Sequence, residues 1–285
     1  MLLASWTSGS RGMLIKSGKR LVHSKLKGFA AACLIAAFAT STGAGAIGGG
    51  THRLLALDGH FVKWGSQTLG TGATVTYALA TSRHSYRDAR NCRNVAPFDQ
   101  LSSSTRLPSA KIKRELEAAF AAWSAVADLK FVRIDDVSKA DIVIGTQVVP
   151  RGRAFANVSP RTSASAPPGH VVKAIAASPA DIAAQVRPRD ATVAPISKAL
   201  ICFNASNRWK VGFNGDLKSY DLRYTFMHEI GHAIGLDHPG SRNELMDFKY
   251  SESFTGLRPG DVAGVRRLYG ARRNENGKPG PKSSE

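Results

Sequence analysis

Residues 228–238 read His-Glu-Ile-Gly-His-Ala-Ile-Gly-Leu-Asp-His, and this stretch constrains the fold more than any other. Three of the chain's eight histidines fall within it. His228 and His232 are four residues apart, a spacing that on a helix stacks both imidazoles on one face, one turn above the other. Two neutral imidazoles aimed at one point are most of a zinc site. Glu229 adjoins His228 but lies off the line joining the two histidines, so it can hold a water at the metal without ligating it. Gly235 follows one turn after His232. A helix end needs a residue that tolerates positive φ, and glycine does so at little cost. The chain can then reverse and deliver His238 as a third ligand, leaving the fourth position to water, the pattern of a catalytic zinc.

The competing reading is an amphipathic helix that carries histidines on a solvated face. Five residues held at set spacing, the helix-ending glycine included, weigh against it. The extended pattern resembles the metzincin signature. That family carries a methionine turn beneath its metal. Met246, in Asn-Glu-Leu-Met-Asp eight residues past His238, resembles that turn, where an isolated Met would more often be core filler.

Taken in order, residues 1–27 are basic and polar, and 28–40 form an apolar run ending before Ala44-Gly45-Ala46. This is the outline of a secretory signal peptide over 1–46, with an uncleaved anchor as the alternative. The run is short for a permanent span. Residues 47–73 are glycine-rich and read as an irregular leader open to trimming. Thr74–Ala80 alternates and is β-branched, which predicts a strand. Pro108-Ser109 opens a helix bearing Ile112, Leu116, Ala119, Phe120 and Trp123 at helical spacing. Lys130–Ile134 and the apolar run Ala140–Gly145 predict two further strands, and Ala154–Val158 a short edge strand. Residues 159–197 read as a long loop with one short helix near 179–186. Ala199–Phe203 predicts the next strand. Ser219 is the candidate cap of the histidine helix, Pro259 begins a last helix, and a basic polar tail occupies 271–285.

At this point the chain resembles the matrixin branch of the metzincins, over 74–270. The helix from 109 with Phe131 and Ala140-Asp-Ile-Val-Ile is similar to the family's first helix and next two strands. Leu245-Met246 with Tyr250 is similar to the methionine turn and the start of the specificity loop. Asp261, Gly264 and Leu268, before Tyr269-Gly270, fall in register with the C-terminal helix. The resemblance implies an α+β, zincin-like metzincin fold. Its twisted, mixed, mainly parallel sheet has an antiparallel edge strand, joined by a crossover helix, the metal-binding active-site helix and a C-terminal helix. It also implies a zinc metalloendopeptidase with ligands His228, His232 and His238 and Glu229 as general base. Tyr250 is then a candidate for the specificity pocket, and the edge strand a candidate to pair with an extended substrate.

The departures are as informative. Cys202 stands where the family has a histidine of a second, structural zinc, and Asn204-Ala205-Ser206 replaces an acidic run that helps hold calcium. His170 is isolated. One catalytic zinc is therefore expected, with a structural zinc and calcium unsupported. Phe248 occupies a position usually held by Pro. Cys92 does not match the family's inhibitory pro-segment. Once Cys33 is removed by export, Cys92 and Cys202 remain, a candidate disulfide in an oxidising compartment or two unpaired thiols.

The formal net charge is +18. Beyond residue 46 the chain has 33 basic and 21 acidic residues, a net +12, which favours acidic partners or an anionic surface. No nucleic-acid-binding motif accompanies it. The expectation is a secreted or periplasmic monomer with a polypeptide substrate, acidic sequences among the candidates, and no permanent membrane span after signal cleavage. A catalytically silent zinc-binding interaction module of the same fold is the alternative, and retention of Glu229 argues against it.

Overall fold

Hydrophobic residues in the middle of this chain come in two periods, and they build two layers, a sheet and the helices packed on it. The computed structural model describes residues 51–161, 192–240 and 243–273. The export segment, His170, the helix expected near 179–186 and most of the tail lie outside the described residues.

Near the start of the described chain are β1 (Arg53–Leu54), β2 (Ala56–Leu57) and β3 (His60–Lys63). They are followed by β4 (Ala73–Leu79), β5 (His84–Ser85), β6 (Asn94–Ala96) and a short helix α1 (Gln100–Thr105). The long helix α2 (Ser109–Val126) leads to β7 (Leu129–Arg133), β8 (Ile142–Gln147) and β9 (Ala154–Pro160). Then come β10 (Val193–Phe203), β11 (Trp209–Lys210), β12 (Tyr220–Asp221), α3 (Leu222–Ala233), β13 (Leu236–Asp237) and α4 (Pro259–Tyr269).

The main sheet runs in the order β2-β3-β10-β8-β4-β7. β4 pairs in parallel with β7 and β8, and β8 in parallel with β10. Parallel neighbours need a crossover, and α2 supplies the one between β4 and β7. β8 is buried along its whole length, as an apolar run inside a parallel sheet must be. β9 runs antiparallel to β10 and, among the described residues, pairs with no other strand. The fold is thus α+β, a mainly parallel mixed sheet with an antiparallel edge.

The apolar stripe of α2 packs into the core that the sheet shares with α3. Phe120 stacks on Tyr77 with ring centroids 4.2 Å apart. Trp123 is fully buried, and its indole N–H donates to the Met227 carbonyl at 3.0 Å, tying α2 to α3. Cys92 and Cys202 are joined, with Cα atoms 5.7 Å apart, so the β5–β6 connection is pinned to β10.

Besides the loop read over 159–197, which is strand at both described ends because β9 runs to Pro160 and β10 starts at Val193, two local expectations need correction. Residues 47–73 read as irregular, yet the described part carries β1 to β3 and contributes Val62 and Trp64 to the core. β3 pairs in parallel with the start of β10, and β1 pairs antiparallel with β13. Strands of two to four residues are too short to display alternation, and their partners lie far along the chain. The second correction concerns the histidine helix. Its cap is Asp221, whose carboxylate accepts from the Tyr224 amide at 2.8 Å. Ser219 instead donates to Asp216, because Tyr220 and Asp221 are still extended as β12.

Candidate metal centre and active-site cleft

α3 puts His228 and His232 one turn apart, with ring centroids 4.9 Å from each other. Just beyond it, Gly235 turns the chain with φ of 99°. A Cβ there would also run into the Val62 carbonyl of β3, so glycine is required by conformation and by close approach. β13 then carries the chain back to His238. The Nε2 of His238 lies 3.2 Å from the Nε2 of both His228 and His232. Among the described residues these three form a group whose ligand atoms lie within 4.8 Å of one another.

Backbone carbonyls set the orientation of the first two rings. Nδ1 of His228 is 2.8 Å from the Leu245 carbonyl, and Nδ1 of His232 is 2.9 Å from the Leu236 carbonyl. A carbonyl can only accept, so each Nδ1 carries the proton and each Nε2 the lone pair. Burial above all, with His232 beside it, holds the His228 imidazole down to about 3 against the opposing Leu245 carbonyl. Burial likewise lowers His232 and His238. Neutral imidazoles are the form that ligates a metal. Nitrogens ~2.0–2.1 Å from a tetrahedral ion sit about 3.3 Å apart, close to the spacing here. The donor set fits zinc.

The turn after His238 is anchored from α4. Asp261 is buried, and its carboxylate accepts from the amides of Leu245 (2.8 Å), Met246 (3.1 Å) and Arg258 (2.8 Å). Those bonds fix the turn whose Leu245 carbonyl holds His228. Met246 is buried against α3, and a Cβ on Gly231 would overlap its sulfur. The glycine within the histidine motif therefore makes room for the methionine.

Glu229 is also buried, and burial pushes its carboxyl up to about 8, with the Ala156 amide of β9 opposing. It lines a small cleft, open to solvent, together with His228, Thr225, Tyr224, Tyr220, Tyr250, Ala154 and Arg153. Tyr250 packs edge-on against Tyr224 and Tyr220, at 4.9 and 5.3 Å between centroids. Its hydroxyl donates to Glu252 and accepts from the Asp221 amide. His228, Glu229 and Tyr250 thus line one cleft, His232 and His238 adjoin it through His228, and Met246 packs behind α3. The Cys92–Cys202 bridge lines no part of that cleft. Sequence reasoning passed over Arg153, Ala156 and the anchoring role of Asp261. Asp261 left a trace there as a residue in register with the C-terminal helix, and Ala156 only as a member of the edge strand read over 154–158.

A mainly parallel sheet with antiparallel strands at its margins, and a histidine helix closed by a glycine turn and a buried methionine, define the metzincin class of fold. Residues 177–270 match the family model described as Matrixin, and the chain carries a matrixin-like metalloprotease catalytic domain. It is 29% identical over 176 residues to Matrix metalloproteinase-20 from Homo sapiens, covering 61% of this chain and 31% of that one. It is 30% identical over 192 residues to Metalloendoproteinase 2-MMP from Arabidopsis thaliana, covering 61% and 41%. With Interstitial collagenase from Equus caballus it shares 28% over 184 residues, covering 63% and 32%. The chain thus spans less than half the length of these relatives. Matrixins use zinc and act on polypeptides. No helix of the described residues is long and apolar enough to cross a membrane.

Proposed function

We propose that the chain is a secreted zinc-dependent endopeptidase, with His228, His232 and His238 as the ligands of a single zinc and Glu229 as general base. The observation that carries this reading is the convergence of three Nε2 atoms, two of their rings oriented by backbone carbonyls, beside a buried glutamate that shares a cleft with His228. When bound, zinc supplies a Lewis acid that acidifies water and polarises the scissile carbonyl. Beside a bound cation the buried Glu229 carboxyl would be held ionised, and as a carboxylate it takes the proton of the attacking water and passes it to the leaving amine. The outer edge of β9 offers backbone donors and acceptors to an extended peptide, giving affinity that does not depend on sequence. Tyr250 helps shape the pocket for one substrate side chain. Cys92 and Cys202 close as a disulfide on export, and a mature, unreduced chain then titrates with no free thiol.

Casein hydrolysis by the zinc-loaded chain tests the proposal. Glu229→Gln should lose roughly 10²–10⁴ in rate and keep its zinc, whereas His232→Ala should lose zinc and activity together. Near-parent turnover in Glu229→Gln would overturn the mechanism. Zinc uptake without turnover in the parent would identify a binding module instead.

A further inference from the structure

Arg153 stands immediately before β9, three residues ahead of the Ala156 amide that faces Glu229, and it lines the same cleft as Glu229 and His228. Its guanidinium lies 3.7 Å from the centre of the Tyr220 ring. Contact with the Tyr220 ring and a hydrogen bond to that tyrosine hold the guanidinium in a partly buried cleft. Its five N–H donors form a planar fork, so it has further donors to offer a ligand. Such a fork matches a carboxylate, which can accept two parallel bonds from it. The rest of that wall is aromatic, from Tyr220, Tyr224 and Tyr250, and can cover the methylenes of a short acidic side chain.

We infer that Arg153 is a specificity-determining residue that selects an acidic side chain, Asp or Glu, next to the scissile bond. The inference rests on reading this cleft as the peptide-binding cleft of a protease. It assigns the chain a local preference, separate from the general attraction of a basic surface for acidic proteins. A fixed guanidinium inside a cleft acts at contact range and resists salt, whereas surface attraction is screened over about 8 Å at physiological ionic strength.

The test uses peptides identical except for Glu, Gln, Leu or Lys placed on either side of the cleaved bond. For the zinc-loaded chain, kcat/KM for Glu should exceed that for Gln by about tenfold or more at one of the two positions, a typical loss for an unmatched charged partner. The advantage should persist in high salt. In Arg153→Met the Glu-to-Gln ratio should fall to near one, and in Arg153→Glu the preference should move to Lys. Each ratio is taken within one variant, so a change in folded fraction cancels. Peptide binding, followed by fluorescence anisotropy on Glu229→Gln and on Glu229→Gln/Arg153→Met, reads the same preference without turnover. Equal treatment of Glu and Gln by the parent, or a ratio untouched by Arg153→Met, overturns the inference while leaving the protease reading intact. Arg153-dependent binding of the Glu peptide without cleavage by the parent would reject the protease reading and, with it, a place for Arg153 beside a scissile bond.

Discussion

The most exacting single change to this domain is Asp261→Asn, a substitution that alters no side-chain volume. Oδ2 of Asp261 accepts two amides, from Leu245 and Arg258, and Oδ1 accepts one, from Met246. An asparagine keeps only one acceptor oxygen. In its better orientation it retains the two Oδ2 bonds and turns its NH2 toward the Met246 amide, so one buried donor loses its partner. That costs about 1–3 kcal/mol, and the other orientation strands two donors. A cost of about 2 kcal/mol lowers the Tm of a domain this size by roughly 4–8 °C. The second consequence is specific to the site. Those amides belong to the turn whose Leu245 carbonyl orients His228, and loss of such outer support typically weakens metal binding about 10–100-fold. Thermal unfolding of the metal-free chain and zinc titration against a chelator measure the two effects separately. An Asp261→Asn variant with parental Tm and parental zinc affinity would refute the chain of support from α4 to His228.

Two further outcomes follow from buried contacts. Gly231→Ala should destabilise the chain by about 1–2 kcal/mol in urea unfolding, because overlap with Met246 and Trp123 outweighs the helix preference of alanine, about 1 kcal/mol; a stabilised variant would mean that the methionine does not pack as described. Burial pushes Lys63 down to about 8 from 10.5, so the folded chain gives up a proton that the unfolded chain keeps. Stability should therefore rise with pH from about 8 to about 10, before ionisation of unfolded tyrosines reverses the trend. Lys63→Gln should flatten that rise in chemical unfolding followed across the range, and an unchanged slope would assign it elsewhere.

Features that rest on local spacing were legible in the sequence. The four-residue step between His228 and His232, the glycine that turns the chain at 235, and the apolar stripe of α2 are each written within a few turns of helix. β8 was legible because a strand buried on both faces must be apolar throughout. What depends on distant partners was not. β1 and β2 are two residues long and owe their existence to the strands that meet them. Asp221 was passed over for Ser219 because nothing local says that β12 stays extended for two more residues. Asp261 reads as an ordinary acidic residue in the first turn of a helix until its three amide donors are in view. Arg153 reads as surface charge until β9 brings it to the cleft.

The pairing of β1 with β13 carries a consequence for how the site comes into being. His228 and His232 belong to one helix and need only that helix to stand together. His238 is held by a strand whose partner, Arg53–Leu54, comes from the far end of the described chain. Contacts so distant in sequence form slowly, since a long loop must close before they are rewarded. A chain still folding therefore offers a metal two imidazoles, and the third arrives when the N-terminal strand docks. Firm retention of a metal would then be a readout of completed folding, and a metal held weakly would mark a chain in which β1 has yet to dock on β13.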